Sequence, residues 1–529
     1  MISNALWLFM AGPLALLSLA LVPNATANAA PRRLANLARG LSLATLGSAL
    51  VALVAVLLDG TLQTPAALPG LGLWIDPLSA VMFVLVSFVG TIVASYSRNY
   101  LGGDAAQGRF TRLLAMTLGA VLTLIIAGNM VQFLAAWVLT SVGLNRLLLF
   151  YNDRPAAILA ARKKFIASRI GDLALIGAAW LVFQQFGGLD YATIFSGAKA
   201  LAGAPVPAGI ATAAGLIVLA GLLKSAQFPT HGWLLEVMET PTPVSALLHA
   251  GIINAGGFVL LRFSGIVGLS ATSMDALALV GGFTALFGSV VMLTQNSIKV
   301  SLAYSTVAQM GFMMLQCGLG AWPAALLHIL AHSLYKAHAF LSSGSVIDIA
   351  RTSWSPSPGG QLHPSRLMFA VPLVLAAAFV VGTLFGFQPM AQPGVFAFSA
   401  IMLLGLTHFI AQSIDERPTG YVIVRVLGLA VLVAGGYFAL QAGMAALMTG
   451  TLAPNEALRG PVSAIIALAV VGGFALLTIM QSTLVAARSG TAPEWVRAFY
   501  VHAHNGLYVN TMANRLVLKI WPTGIPNRR

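Results

Sequence analysis

Charged residues make up only 8% of this 529-residue sequence, while 58% is hydrophobic. Soluble globular domains carry roughly 25% charge, so water is excluded as the solvent for most of the chain. Cysteine occurs once, at Cys317 inside an apolar run, so this chain alone cannot build a disulfide, zinc ribbon or iron–sulfur cluster. A nucleotide-binding glycine loop, a haem-ligand pattern and a Ser-His-Asp signature are also missing, which argues against a membrane enzyme or redox subunit. Carboxylates are scarce, with Asp+Glu at 14 against Lys+Arg at 28, so any buried cation has few acids to pair with.

What the sequence has in quantity is apolar runs of membrane length. Mean hydropathy is +0.88. About fifteen stretches of roughly 17 to 25 residues, the length that crosses a hydrocarbon core, can be delimited. Their cores include 4–22, 39–58, 76–97, 166–186, 207–226, 242–263, 300–318, 322–346, 367–386 and 461–486. The expected fold is an all-α polytopic membrane protein. Arg32, Arg33 and Arg39, then Arg98, Arg109 and Arg112, then Arg154, Arg162, Lys163, Lys164 and Arg169 fall in alternate expected loops. The intervening loops hold Asp59, Asp76 and Asp190, with little positive charge beyond Lys199 and Arg459. By the positive-inside rule the N-terminus lies outside and the tail after Arg488 inside, so the net charge of +14 marks a cytoplasmic membrane face rather than a nucleic-acid site. A patch for anionic lipid or an acidic partner is the alternative. Asn24 to Ala30 has the small residues of a signal-peptidase site, but no Lys or Arg precedes the first apolar run, so that run is expected to be retained.

Two apolar regions are interrupted by polar residues or proline, which at membrane depth is tolerated where protein or a water-filled cavity satisfies the backbone. The first runs Leu222-Leu223-Lys224-Ser225-Ala226-Gln227-Phe228-Pro229-Thr230-His231-Gly232-Trp233. Lys224 sits just before the break, where a lysine deprived of hydration can release and recapture a proton; the alternative is an ammonium that snorkels to the interface. Beyond it, Pro241 and Pro243 suit a turn and a first helical turn and place His249 about two turns into the next span. A histidine there can pass a proton or simply hydrogen-bond a neighbouring helix. The second region contains His328, His332 and Lys336, spaced four and four on one helix face. Such a stripe suits a proton wire. Zinc is disfavoured, because the glutamate of the zinc-protease motif is missing and Lys336 would repel the ion; helix-packing contacts are the other alternative. Lys299 either bridges two halves at mid-depth or is a loop charge, and His408 could extend the route inward. Asp172 and Glu236 could pair with Lys224 or Arg146, or be interfacial charges. Two such regions in separate blocks of helices fit an inverted repeat.

These segments resemble the proton-conducting membrane subunits shared by respiratory complex I and the Mrp sodium/proton antiporters. The resemblance runs from about Asp76-Pro77-Leu78-Ser79 to Gly344-Ser345-Val346-Ile347. It is densest in Lys224-Ser225-Ala226-Gln227, in Pro241 to Ala250 and in Leu302-Ala303-Tyr304-Ser305-Thr306. It implies two inverted five-helix bundles, here at 109–265 and 266–412, between N-terminal helices at 1–108, C-terminal helices at 413–487 and a tail at 488–529. It also implies that Lys224, His249, Lys299 and Lys336 occupy proton-pathway positions. Ala250 to Phe258 and Tyr500 to Tyr508 resemble one branch, the membrane subunits of bacterial inorganic-carbon accumulation complexes. That likeness implies a bacterial inner-membrane location, no cofactor in this chain, and a DabA-type, carbonic-anhydrase-like zinc protein as cytoplasmic partner. The chain departs from the family pattern where a glutamate is expected, with Thr140 in Leu139-Thr140-Ser141-Val142-Gly143-Leu144. It departs again at Gly386-Phe387-Gln388-Pro389, where a lysine or glutamate is expected. A lysine without its acidic partner fits a coupled proton path better than an autonomous pump.

Overall fold

The computed structural model describes residues 5–64, 70–343, 379–386, 393–413, 420–454, 460–488 and 492–522. The protein is an all-α polytopic membrane protein. Among the described residues, eight helical stretches are long and apolar enough to cross a membrane, one of them the interrupted stretch Thr242–Arg262, and shorter apolar helices accompany them. The first helices are α1 Leu8–Ser18, α2 Pro31–Asp59, α3 Pro77–Tyr100, α4 Gln107–Ile125, α5 Met130–Leu148, α6 Pro155–Phe186, α7 Tyr191–Ala200 and α8 Ala208–Lys224. There follow α9 Thr242–Ala250, α10 Ala255–Arg262, α11 Ala271–Thr294, α12 Ile298–Gly318 and α13 Trp322–Leu341. The last are α14 Pro393–Ser413, α15 Gly420–Leu447, α16 Pro461–Arg488, α17 Glu494–His504 and α18 Val509–Ile520. A two-residue antiparallel ladder pairs β1 Leu62–Gln63 with β2 Trp74–Ile75.

Helix starts follow local chemistry. Asp76 caps α3 by accepting from the Ser79 amide at 2.8 Å, and Pro77, which lacks an amide hydrogen, takes the first helical position at no cost. Asn129 caps α5 through the Gln132 amide at 2.8 Å, and Asp190 caps α7 through the Thr193 amide at 3.0 Å. Gly187, with φ of +73°, ends α6 in the left-handed conformation that side chains resist.

Several expected spans differ from what is observed, the one at 39–58 among them, since α2 begins at Pro31 and takes in Arg32, Arg33 and Arg39. The span expected at 166–186 begins at Pro155, so Arg162, Lys163, Lys164 and Arg169 are helical rather than loop residues. Proline at the first helical position of α6 sets that earlier start. The span expected at 242–263 is broken at Gly251 by a 3-10 turn, Ile252–Asn254, between α9 and α10. Conversely, the region read as a second interruption is the continuous helix α13, because its one proline, Pro323, lies in the first turn, where no intrahelical hydrogen bond is lost. Residues 367–378 and Phe387 to Pro389 lie outside the described residues.

The chain forms two compact units. The first comprises residues 1–270, 329–342 and 511–529, and the second 271–328 and 343–510. In the first unit α8 packs on α10 at backbone distance. A methyl group placed on Gly256 would collide with the Gly221 carbonyl oxygen and the Ser225 hydroxyl. Gly256→Ala should therefore cost about 1–3 kcal/mol, as overpacking does. A lowered melting temperature of the purified full-length protein would show it, and an unchanged one would mean that the two helices can part freely.

Candidate functional site

Lys224 is the last residue of α8, ahead of the break, and is only 4% exposed. Its ammonium donates to the Ser141 hydroxyl at 2.8 Å and the Trp137 carbonyl at 3.4 Å, and stands 4.2 Å from the centre of the Trp137 ring. All three contacts come from α5, the helix on which the resemblance implies a glutamate. The Thr140 hydroxyl, at that acidic position, bonds instead to the Ala136 carbonyl of its own helix at 2.8 Å. The lysine is thus held by neutral oxygens and a π face, and the snorkelling alternative does not describe it. Downstream, Ser225 donates to the Ile253 carbonyl at 2.8 Å, tying the break to the interruption between α9 and α10.

Asp172 and Glu236 have other immediate partners than those expected. Asp172 pairs with Arg169, three residues earlier on α6, at 2.7 Å, while remaining within electrostatic reach of Lys224 and Lys164. Glu236 pairs with Lys163 at 2.7 Å and accepts from Asn514 of α18 at 2.9 Å; Lys163 also donates to Asn514 at 2.7 Å and to the Gly232 carbonyl at 3.1 Å. Arg169 and Asp172 have the i,i+3 spacing of a helical pair, whereas Lys163 and Asn514 meet Glu236 only through the folding of the chain. Arg146 is exposed. His231, in the break between α8 and α9, is buried beside this cluster.

The second group of titratable residues also belongs to the first unit. His249, in the last turn of α9, is buried and stacked on Phe340 of α13 with ring centroids 4.2 Å apart. Asn254 donates to the Ser333 hydroxyl at 2.8 Å, joining the same two regions. Lys336 is fully buried, His332 is 5% exposed, and His249 lies within electrostatic reach of Lys336. The structure thus brings Lys224, Asp172 and Glu236, and likewise His249, His332 and Lys336, into one folded unit. His328 lies on α13 in the second unit, partly buried beside Phe312. Lys299 is exposed in the first turn of α12. His408 falls on α14, and its side chain is outside the described residues. Among the described residues no group of three or more His, Cys, Asp or Glu side chains forms a metal-binding set.

Sequence reasoning missed Lys164 and the pair Arg262–Asp76. Arg262 donates to the two Asp76 carboxylate oxygens at 2.5 and 3.2 Å and also reaches the Ser79 hydroxyl, all buried. For Lys164 there was a signal. Consecutive Arg162, Lys163 and Lys164 sweep about 200° of a helix, so a helix packed on several sides must turn one of them inward.

The helices, the break and the buried lysines define the class. Residues 127–404 match the family described as NADH:quinone oxidoreductase/Mrp antiporter, TM, and residues 69–111 match the N-terminus of chain 5 of NADH-ubiquinone oxidoreductase, complex I. The chain belongs to this family of ion-translocating membrane subunits. Within it, the chain is similar over nearly its full length to the probable inorganic carbon transporter subunit DabB2 of Halothiobacillus neapolitanus. The two are 38% identical over 506 residues, 91% of this chain and 88% of that one. The DabB subunit of Hydrogenovibrio crunogenus is 34% identical over 461 residues, 86% of this chain and 85% of that one. Two solved structures share the fold. The Mrp complex from Dietzia sp. DQ12-45-1b aligns with a TM-score of 0.56 and 23% identity over 97% of this chain, which spans 56% of that one. An archaeal membrane-bound sulfane sulfur reductase aligns with a TM-score of 0.57 and 18% identity over 96% of this chain and 99% of that one.

Proposed function

We propose that this chain is the proton-conducting membrane subunit of an inorganic-carbon accumulation system. It lies in the bacterial inner membrane with the N-terminus periplasmic and the C-terminus cytoplasmic. The observation that carries this reading is the burial of Lys224, His249, His332 and Lys336 within one unit of apolar helices. Buried titratable groups are costly in a membrane and mark ion pathways. Lys224 contacts hydroxyl, carbonyl and ring rather than carboxylate, which favours a path coupled to a second protein over a self-contained pump.

In this reading the chain performs no chemistry on carbon. Cation-motive energy, carried by protons, reaches a DabA-type, carbonic-anhydrase-like zinc protein on the cytoplasmic side, which hydrates CO2 to bicarbonate. The zinc belongs to that partner. The names of the two DabB relatives support the carbon substrate. Exposed aromatic and basic residues on α17, Trp495, Arg497 and Phe499, support a contact surface. The decisive test is Lys336→Ala in the complete assembly. Inorganic-carbon accumulation should fall to background with membrane insertion intact, and a large zinc-binding protein should co-purify. Undiminished accumulation would remove Lys336 from the mechanism. Several small membrane partners with sodium-dependent transport would instead make the chain an Mrp-type Na+/H+ antiporter subunit.

A further inference from the structure

Lys164 stands out among the cations the family resemblance does not cover. It is 1% exposed and lies in the third turn of α6, a helix that begins at Pro155. Side chains on a helix lean toward its N-terminus, here the end that carries Arg154 and Arg162, so a snorkelling lysine would reach back that way. Lys164 does the opposite. Its ammonium donates to the Ser168 hydroxyl, one turn further along the helix, at 2.9 Å, and lies 4.7 Å from the centre of the Trp233 ring. The first residue past it on the chain, Phe165, is exposed, so the inward aim of Lys164 belongs to its own face of the helix.

Two sets of groups neighbour this lysine. The Lys163–Glu236–Asn514 cluster shares the Gly232–Trp233 segment with it. Lys224 is within electrostatic reach of Lys164, and Asp172 and Arg169 are within reach of both lysines. Lys164 and Lys224 are held alike: each ammonium has one serine hydroxyl and one tryptophan face. A serine hydroxyl donates and accepts, so it can stay bonded to an amine in either protonation state. Where the family offers Lys224 a carboxylate, this chain has Thr140 turned to its own helix and a second lysine nearby.

We propose that Lys164 is a second proton carrier of the first route, passing protons between the Lys163–Glu236 cluster and Lys224. This rests on the reading of the chain as a proton conductor. A proton leaves the Lys164 ammonium and arrives on the Lys224 amine, and a proton from the Lys163–Glu236 end then restores Lys164, so no charge accumulates over a cycle. A fixed countercharge would need only a cation at this position; a carrier needs a group that gives its proton up. Arginine separates the two, since its guanidinium stays charged.

The test measures proton flux into inverted membrane vesicles containing the full-length chain in its native assembly, driven by an imposed potential and normalised to inserted protein. Lys164→Arg and Lys164→Met should each reduce flux about a hundredfold, the range of a lost proton-transfer group. Residual flux should show a larger solvent deuterium effect than the wild type. Lys224→Arg run in parallel tells the two readings apart. Wild-type flux in Lys164→Arg with none in Lys224→Arg overturns the role of Lys164 alone and makes it a fixed charge. Wild-type flux in both removes both lysines from the route, and no potential-driven flux in the wild-type assembly overturns the proton-conductor reading itself. Should Lys164→Met insert poorly, Lys164→Arg, which keeps the charge, decides the question.

Discussion

Replacing Lys224 with alanine is expected to lower proton flux about a hundredfold or more, and replacing it with arginine is expected to lower it as far. The equality of the two is the informative part. Alanine removes the charge and the proton together, whereas arginine keeps a charge that it never yields at accessible pH. The Lys224 site is built for an ammonium. Ser141 and the Trp137 carbonyl accept from it at 2.8 and 3.4 Å, and the Trp137 ring lies beneath it. A planar guanidinium keeps the ring contact, so Lys224→Arg should insert and fold. If Lys224→Arg conducted like the wild type, the residue would serve as a fixed charge that shapes the field in the helices, and the proton would travel by another route. Flux and the amount of inserted protein need to be read in the same vesicles, because a loss of insertion would imitate a loss of conduction.

Legibility from sequence divided along a physical line. Membrane helices announce themselves by length and hydropathy, and the break at Pro229 followed from proline and polar residues in an apolar run, whereas the turn just past His249 falls in a stretch that reads as continuous span. The stripe of His328, His332 and Lys336 followed from helical period. Partner choice did not follow. Glu236 meets Lys163 and Asn514, and Arg262 meets Asp76, across separations that only the packed chain closes. Basic residues were the other difficulty. Counting them for orientation treats each as a loop charge, yet Lys163 and Lys164 are buried in α6 while Lys299, for which a mid-depth bridge and a loop charge are both open from the sequence, is exposed. A charge count along a sequence carries the sign of a membrane face but not the direction in which any one side chain points.

The largest stability effect is expected at Asp76. Its carboxylate receives Arg262 on both oxygens, the Ser79 amide at 2.8 Å and the Trp74 indole at 3.0 Å, and both members of the ion pair are buried. Asp76→Asn keeps a side chain able to cap α3 but leaves the Arg262 cation without its countercharge. Breaking a buried pair in this way costs about 3–5 kcal/mol. Lowered melting temperature of the purified protein, with reduced yield, is the expected outcome. Arg262→Met should cost less, because the Asp76 carboxylate keeps its amide and indole donors and, at the helix N-terminus, a favourable dipole. The double variant Asp76→Asn with Arg262→Met removes both charges and should be more stable than Asp76→Asn alone, since replacing a buried pair by neutral groups of similar volume is often tolerated. A double variant that melts below Asp76→Asn would mean that the arginine does more than neutralise Asp76, with its contacts to Tyr191 and Phe258, at 5.5 and 5.4 Å from the ring centres, as the remaining sources of stability. Asp76→Asn with wild-type melting would show that Arg262 finds compensation elsewhere, and that the pair is not what fastens α3 to α10.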